Sequence, residues 1–93
     1  MTDQETGLNA EFRQQVVDTM TAVLALLLDR AEPVTENMSL MGELRLSSTL
    51  GLELLLRVED ELDILIDVEL MDADQMRTVG DMATFVAGNS RPG

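Results

Sequence analysis

Residues 47–62 of this 93-residue chain read SSTLGLELLLRVEDEL, and they predict an amphipathic α-helix. On a helical wheel one side carries the apolar residues of the expected core stripe, namely Leu50, Leu54, Leu55, Val58 and Leu62. Two further leucines, Leu52 and Leu56, lie on another flank, beside Ser48 and among carboxylates. An exposed apolar pair rimmed by charge is typical of a docking surface, although two leucines buried against other helices would give the same pattern. We predict that the helix starts at Ser47 or Ser48.

A second helix is predicted upstream of this segment. Apolar residues recur at three- and four-residue spacing over Asn9–Ala31, with Asn9 as the candidate N-cap. Pro33 disfavours helical geometry in the residue before it and is expected to end the segment. The connection Glu32–Leu46 is long for a compact domain, and a short helical turn within it is possible. Its apolar residues are expected to tie it to the core: Leu40, Met41, Leu44 and Leu46.

The segment after residue 62 is predicted to contain an extended loop followed by two helices. Ile64 and Ile66 lie in a stretch that alternates like a strand, but no partner strand is evident, so we expect an extended loop with buried isoleucines. Residues Asp72–Met76 predict one short helix capped by Asp72. Thr78 opens the last helix, with Asp81 in a capping-box position, and Gly88 ends it.

These segments predict a small all-α bundle, with three main helices, one short helix and a long loop between the first two. We expect one domain over residues 1–93, structured from about 9 to 88, with flexible ends that include residues 89–93. Residues 1–8 lack the features of a signal peptide, and the apolar run 22–28 is too short to span a bilayer. The expected location is cytoplasmic.

The composition excludes several classes of function. Eighteen acidic residues face six arginines, for a net charge of −12, which disfavours nucleic acids and membranes as partners and favours proteins with basic patches. The same acidity could also serve solubility alone. The chain has no cysteine and no histidine, so disulfides, thiolate or imidazole metal sites and Ser-His catalysis are excluded. The composition therefore leaves few routes to catalysis, and we expect no metal site.

The segment Glu43–Leu54, which reads ELRLSSTLGLEL, resembles the attachment motif of acyl carrier proteins, D-L-G-x-D-S-L-x-x-V-E-L. Ser48 falls on the serine that is modified in that family. Further blocks follow in the same order: VEDEL at 58–62 is similar to the family's L-E-E-E-F, ILI at 64–66 to its I-x-I, and TVGD at 78–81 to its T-V-G-D. The resemblance extends over nearly the whole chain, from the first helix to Val86.

Three positions depart from the motif. Arg45 stands where the family usually has glycine, Ser47 where it has aspartate, and Thr49 where it has leucine. The distance from Ser48 to Glu53 is unchanged. The departures favour a dedicated set of partner enzymes and a specialised pathway such as polyketide biosynthesis, with fatty acid biosynthesis as the other possibility.

The resemblance implies a four-helix bundle of the acyl carrier type that is a discrete monomer and is not itself an enzyme. It implies a 4'-phosphopantetheine arm, transferred from coenzyme A to Ser48 by a phosphopantetheinyl transferase and then loaded with an acyl group as a thioester. It assigns docking of acyl-loading and acyl-processing enzymes to Leu52, Glu53, Leu56, Glu59 and Asp60. It further suggests that an acyl cleft is lined by Leu44, Val58, Leu62, Ile66 and Met76.

Two alternatives stay open. The first is a stand-alone peptidyl carrier protein loaded with an amino acid. Carriers of that kind usually show L-G-G-x-S at the serine, whereas residues 44–48 read LRLSS. The second is an acidic helical adaptor without a prosthetic group, for which Ser48 has no special role.

Overall fold

The computed structural model of the chain describes residues 2–93, including the side chains of residues 10–72 and 74–93. Three α-helices account for most of it: α1 (Thr2–Leu27), α2 (Ser48–Leu62) and α3 (Val79–Gly88). Two 3₁₀ helices, Val68–Leu70 and Ala73–Met76, lie between α2 and α3. Two short strands, β1 (Ile64–Ile66) and β2 (Ser90–Pro92), form an antiparallel sheet. The protein is small and mostly helical, as predicted, and this two-stranded sheet is an addition that the prediction of an all-α bundle did not include.

Both ends of the described chain differ from the sequence-based prediction. Helix α1 begins at Thr2, so Asn9 lies inside it and does not cap it. Of the start that we expected to be flexible, Met1 lies outside the described residues. Residues 89–93 contain β2, so their prediction as a flexible tail is wrong, and so is the prediction of an unpaired loop at 64–66.

The pairing of the two strands holds the C-terminal segment beside the end of α2. The N–H of Asp67 donates to the carbonyl of Asn89 at 2.9 Å, and the N–H of Gly93 donates to the carbonyl of Asp63 at 3.0 Å. Arg91 adds an ion pair with Asp67 at 3.4 Å. Strand β2 itself is polar and short, so backbone bonds rather than apolar burial hold it in place.

Helix α1 ends at Leu27, four residues before the predicted end, because of local backbone geometry. Asp29 adopts the left-handed conformation with φ of 50°. The N–H of Arg30 then donates to the carbonyl of Ala25 at 3.1 Å, the bond that defines a Schellman motif. This motif, and not Pro33, therefore ends the helix.

The loop 28–47 contains turns but no helix, and its apolar residues differ in how far they are buried. Leu40, Leu44 and Leu46 are buried, as predicted, whereas Met41 is 66% exposed. The N–H of Leu40 donates to the carbonyl of Arg77 at 3.0 Å, so the loop is bonded to the segment that leads into α3.

Arg13 connects three parts of the fold. Its guanidinium donates to the Glu36 carboxylate at 2.7 Å, to the Thr84 hydroxyl at 2.9 Å and to the Gly80 carbonyl at 3.3 Å. A Cβ at Gly80 would lie 3.0 Å from Glu36 Oε1, so glycine allows α3 to approach this pair closely. The arginine thus joins α1, the loop and α3 through charge-assisted bonds.

Asp72 and Thr78 cap the helices downstream of α2, as predicted, but of the capping box expected for Thr78 and Asp81 the structure shows the Thr78 bond alone. Asp72 caps the 3₁₀ helix Ala73–Met76 in a capping box with Gln75. The Thr78 hydroxyl accepts from the N–H of Asp81 at 3.0 Å and caps α3, which ends at Gly88. Helix α1 packs against both α2 and α3, and the side chains between them form a single hydrophobic core.

Candidate functional site

Helix α2 places Ser48 at its first residue. The helix starts there because Ser47 caps it: the Ser47 Oγ accepts a hydrogen bond from the N–H of Leu50 at 3.1 Å. Ser48 is exposed. The two adjacent serines are both exposed but differ in their bonding, since the Ser47 hydroxyl accepts the cap bond while the Ser48 hydroxyl takes no part in it.

The surroundings of the Ser48 hydroxyl suit a covalently attached anion. The first N–H groups of a helix have no acceptor within the helix, and those of Ser48 and Thr49 belong to this set. The helix dipole adds a partial positive charge at the same end. A phosphodiester on Ser48 would be stabilised by both. The first turn of α2 carries no acidic residue that would oppose it.

An apolar cleft of about 300 Å³ opens directly beside Ser48. One wall is the flank of α2 that contains Ser48, Gly51, Leu52 and Leu55. The remaining walls come from the loop 39–46, from the two 3₁₀ helices and from α3, and their apolar side chains are Leu40, Met41, Leu46, Val68, Met71, Met76 and Met82. Apart from the two serines at its mouth, its side chains are aliphatic or thioether. Methionine is flexible and fits irregular apolar shapes.

The cleft differs from the one expected from the sequence. Of the five residues expected to line it, Met76 does so. Leu44, Val58 and Ile66 are buried in the hydrophobic core, and Leu62 packs against that core. The cleft lies on the Ser48 side of α2, whereas Val58 and Leu62 belong to the stripe that faces the core.

Part of the lining could have been found from the sequence. Gly51, Leu52 and Leu55 follow Ser48 by three, four and seven residues, the spacing that places residues on one helical flank. Val68 and Met71 could not, because the 3₁₀ helix Val68–Leu70 and the residue after it reach the cleft by tertiary packing.

The exposed face of α2 includes the predicted leucine pair. Leu52 and Leu56 are 57% and 52% exposed, while Leu54 and Val58 are fully buried. The helical wheel therefore correctly predicted which flank of α2 is buried and which is exposed. Leu50, expected in the core stripe, is partly buried against the core.

The three carboxylates expected beside this pair have different surroundings. Glu53 pairs with Arg57 at 3.1 Å, and Asp60 is exposed. Glu59 is half-buried, and its Oε2 accepts from the N–H of Ile66 at 2.7 Å. Glu59 therefore joins α2 to β1, which is a structural role that the sequence did not indicate.

Two searches of the described residues complete the survey. No group of three or more acidic side chains among them is arranged to hold a metal ion. No helix in the described part of the chain is long and apolar enough to cross a membrane. Comparison of the chain with known protein families, curated proteins and solved structures finds no match.

Proposed function

We propose that this chain is a carrier domain of the acyl type, which holds acyl intermediates as thioesters on a 4'-phosphopantetheine arm at Ser48. The observation that carries the proposal is the exposed Ser48 at the start of α2, beside an apolar cleft. The order of the motifs from residue 43 to residue 81 supports it, and so does the three-helix core with a short fourth helix at 73–76. We propose on the same basis that the chain is not an enzyme itself and acts in polyketide or other specialised biosynthesis.

The residues at the site fit the arm. Ser48 would hold it, with the N–H groups of the first turn near its phosphate and the cleft beside it. When bound, the arm supplies a terminal thiol, a group that this chain lacks because it has no cysteine. The apolar lining favours an acyl cargo over an aminoacyl one, because the ammonium group of an amino acid loses hydration in such a cleft.

The test is the intact mass of the protein after incubation with coenzyme A and a promiscuous phosphopantetheinyl transferase. We expect the mass of one phosphopantetheinyl group to be added, and peptide mapping to place it on Ser48. The adaptor alternative predicts an unchanged mass. A peptidyl carrier would gain the same arm but would be loaded by an amino-acid-activating enzyme.

The cleft provides an independent prediction about the cargo. Loading with octanoyl-coenzyme A in place of acetyl-coenzyme A should shift the methyl NMR signals of the cleft methionines, because the longer chain enters the cleft and contacts them. The affected residues are Met41, Met71, Met76 and Met82. Met20, buried in α1, is the internal reference and should move little. Identical spectra for the two cargoes would show that the acyl chain does not enter this cleft.

We further propose that Leu52, Glu53, Leu56 and Asp60 form the docking face for the transferase and for acyl-loading and acyl-processing enzymes, with Glu59 contributing charge. Exposed charges steer a partner with a basic patch, and their effect is screened over about 8 Å at physiological ionic strength. Leu52 and Leu56 would supply the apolar centre of the contact.

Charge reversal tests this face. The double variant Glu53→Lys, Asp60→Lys should lower kcat/KM for the transferase by about ten-fold or more at low salt, with the loss shrinking as salt rises. Glu61→Lys is the control for a charge change on α2. Glu61 is exposed beside Asp18 and Thr19 of α1, on another flank. The control changes the net charge by half as much as the double variant, so a loss about half as large on a logarithmic scale would show a net-charge effect rather than a docking face.

A further inference from the structure

Arg45 differs from the other five arginines of the chain in its partners. Each of the five forms an ion pair with a carboxylate, and the pairs are Arg13–Glu36, Arg30–Glu32, Arg57–Glu53, Arg77–Asp74 and Arg91–Asp67. Arg45 forms no ion pair with any carboxylate whose side chain is described. In a protein with eighteen acidic residues, this exposed cation is therefore available for an anion added from outside the described part of the chain.

The backbone holds Arg45 in a fixed position. Its neighbours Leu44 and Leu46 are buried, and their N–H groups donate to the carbonyls of Ser39 and Leu40 at 3.0 Å and 2.8 Å. Arg45 itself has φ of 51°, the left-handed region that favours glycine. The loop therefore presents the arginine side chain to solvent three residues before Ser48.

We infer that the Arg45 guanidinium pairs with the phosphodiester of the arm at Ser48. The inference rests on the proposed function. Arginine binds phosphate oxygens through two parallel N–H donors, a geometry that lysine does not offer. The phosphate would enter a surface that is otherwise strongly acidic. Arg45 lies three residues before Ser48 in the chain, and its charge is not matched by any carboxylate whose side chain the structure describes. The pair would orient the first bonds of the arm relative to the cleft.

The test compares the protein before and after attachment of the arm by NMR of the arginine side-chain Nε–Hε groups. Six signals are expected, and the Arg45 signal is identified by its loss in Arg45→Gln. Attachment should shift that signal and leave the five paired arginines nearly unchanged. The ³¹P signal of the arm should move in Arg45→Gly and Arg45→Gln but not in Arg57→Gln. Arg57 is the matched control because it lies in α2 nine residues after Ser48, about 13 Å from that serine along the helix axis.

The outcomes separate the two proposals. An unchanged mass after the transferase reaction would overturn the proposed function and this inference with it. A correct mass with an unmoved Arg45 signal would overturn the inference alone, as would equal shifts of all exposed arginines. A shift that appears on addition of the transferase, and not on attachment, would assign Arg45 to an acidic group of that partner instead. Arg45→Gly should fold, since glycine suits the observed φ, so the comparison does not depend on one variant.

Discussion

Replacing Ser48 by alanine is expected to abolish attachment of the arm, while Ser47→Ala is expected to accept it. The two serines are adjacent and chemically identical, so their surroundings decide the difference. Ser47 Oγ accepts a hydrogen bond from the N–H of Leu50 and caps α2, whereas Ser48, also exposed, lies at the first residue of the helix and takes no part in the cap. Only Ser48 can present its oxygen to a transferase without opening the helix end. The measurement is the intact mass after reaction with coenzyme A.

The Ser47 variant also controls for damage to the helix. Loss of an N-cap typically costs about 1 kcal/mol of stability, so Ser47→Ala should still fold and should melt at a lower denaturant concentration than the native protein. Ser48→Ala removes no cap and should melt like the native protein. Modification of Ser48→Ala, or loss of modification in Ser47→Ala at full folding, would move the attachment site away from Ser48.

Local signals in the sequence were sufficient for α2, for the cap at its start and for the two caps that follow it. Ser47, Asp72 and Thr78 each satisfy an N–H two or three residues ahead, so the residue type and its immediate neighbours determine the geometry. The wheel of α2 also separated Leu54 from Leu56, because burial on one flank follows the helical period.

The features that the sequence did not predict depend on contacts between distant residues. Strand β2 consists of Ser90, Arg91 and Pro92, which have neither strand periodicity nor apolar character. Strand β2 forms because the fold brings its backbone beside that of β1, with which it pairs. Likewise, Val68 and Met71 line the cleft only because the chain turns back after β1. The early end of α1 has a different reason: Asp29 takes a left-handed conformation that no single residue type requires.

Leu54→Ala and Leu56→Ala are expected to separate the core from the docking face. Leu54 is fully buried, so its truncation should lower the free energy of unfolding by about 2–5 kcal/mol through lost transfer energy and a cavity. Leu56 is 52% exposed, and its truncation should change that energy by about 0.5 kcal/mol or less. Denaturant melts of the two variants, run side by side, measure the difference.

The consequence for the Leu54 variant is large because small domains are marginally stable. A total free energy of unfolding of about 5–15 kcal/mol leaves little reserve after such a loss. Leu56 is a cleaner probe of docking than Leu52, since Leu52 also lines the cleft beside Ser48. Leu56→Ala should therefore fold normally and yet accept the arm and its acyl cargo more slowly, because a partner loses an apolar contact at the centre of its interface.

Equal destabilisation of the two variants would contradict this assignment of the α2 flanks, and the docking surface would then have to lie elsewhere. Normal stability combined with normal transfer in Leu56→Ala would leave the flanks correct and remove Leu56 from the docking face. The charge-reversal variants would then decide the rest of that face, because Glu53 and Asp60 act at longer range than a methyl contact. Stability and transfer, measured on the same samples, thus test the helix geometry and its proposed use separately.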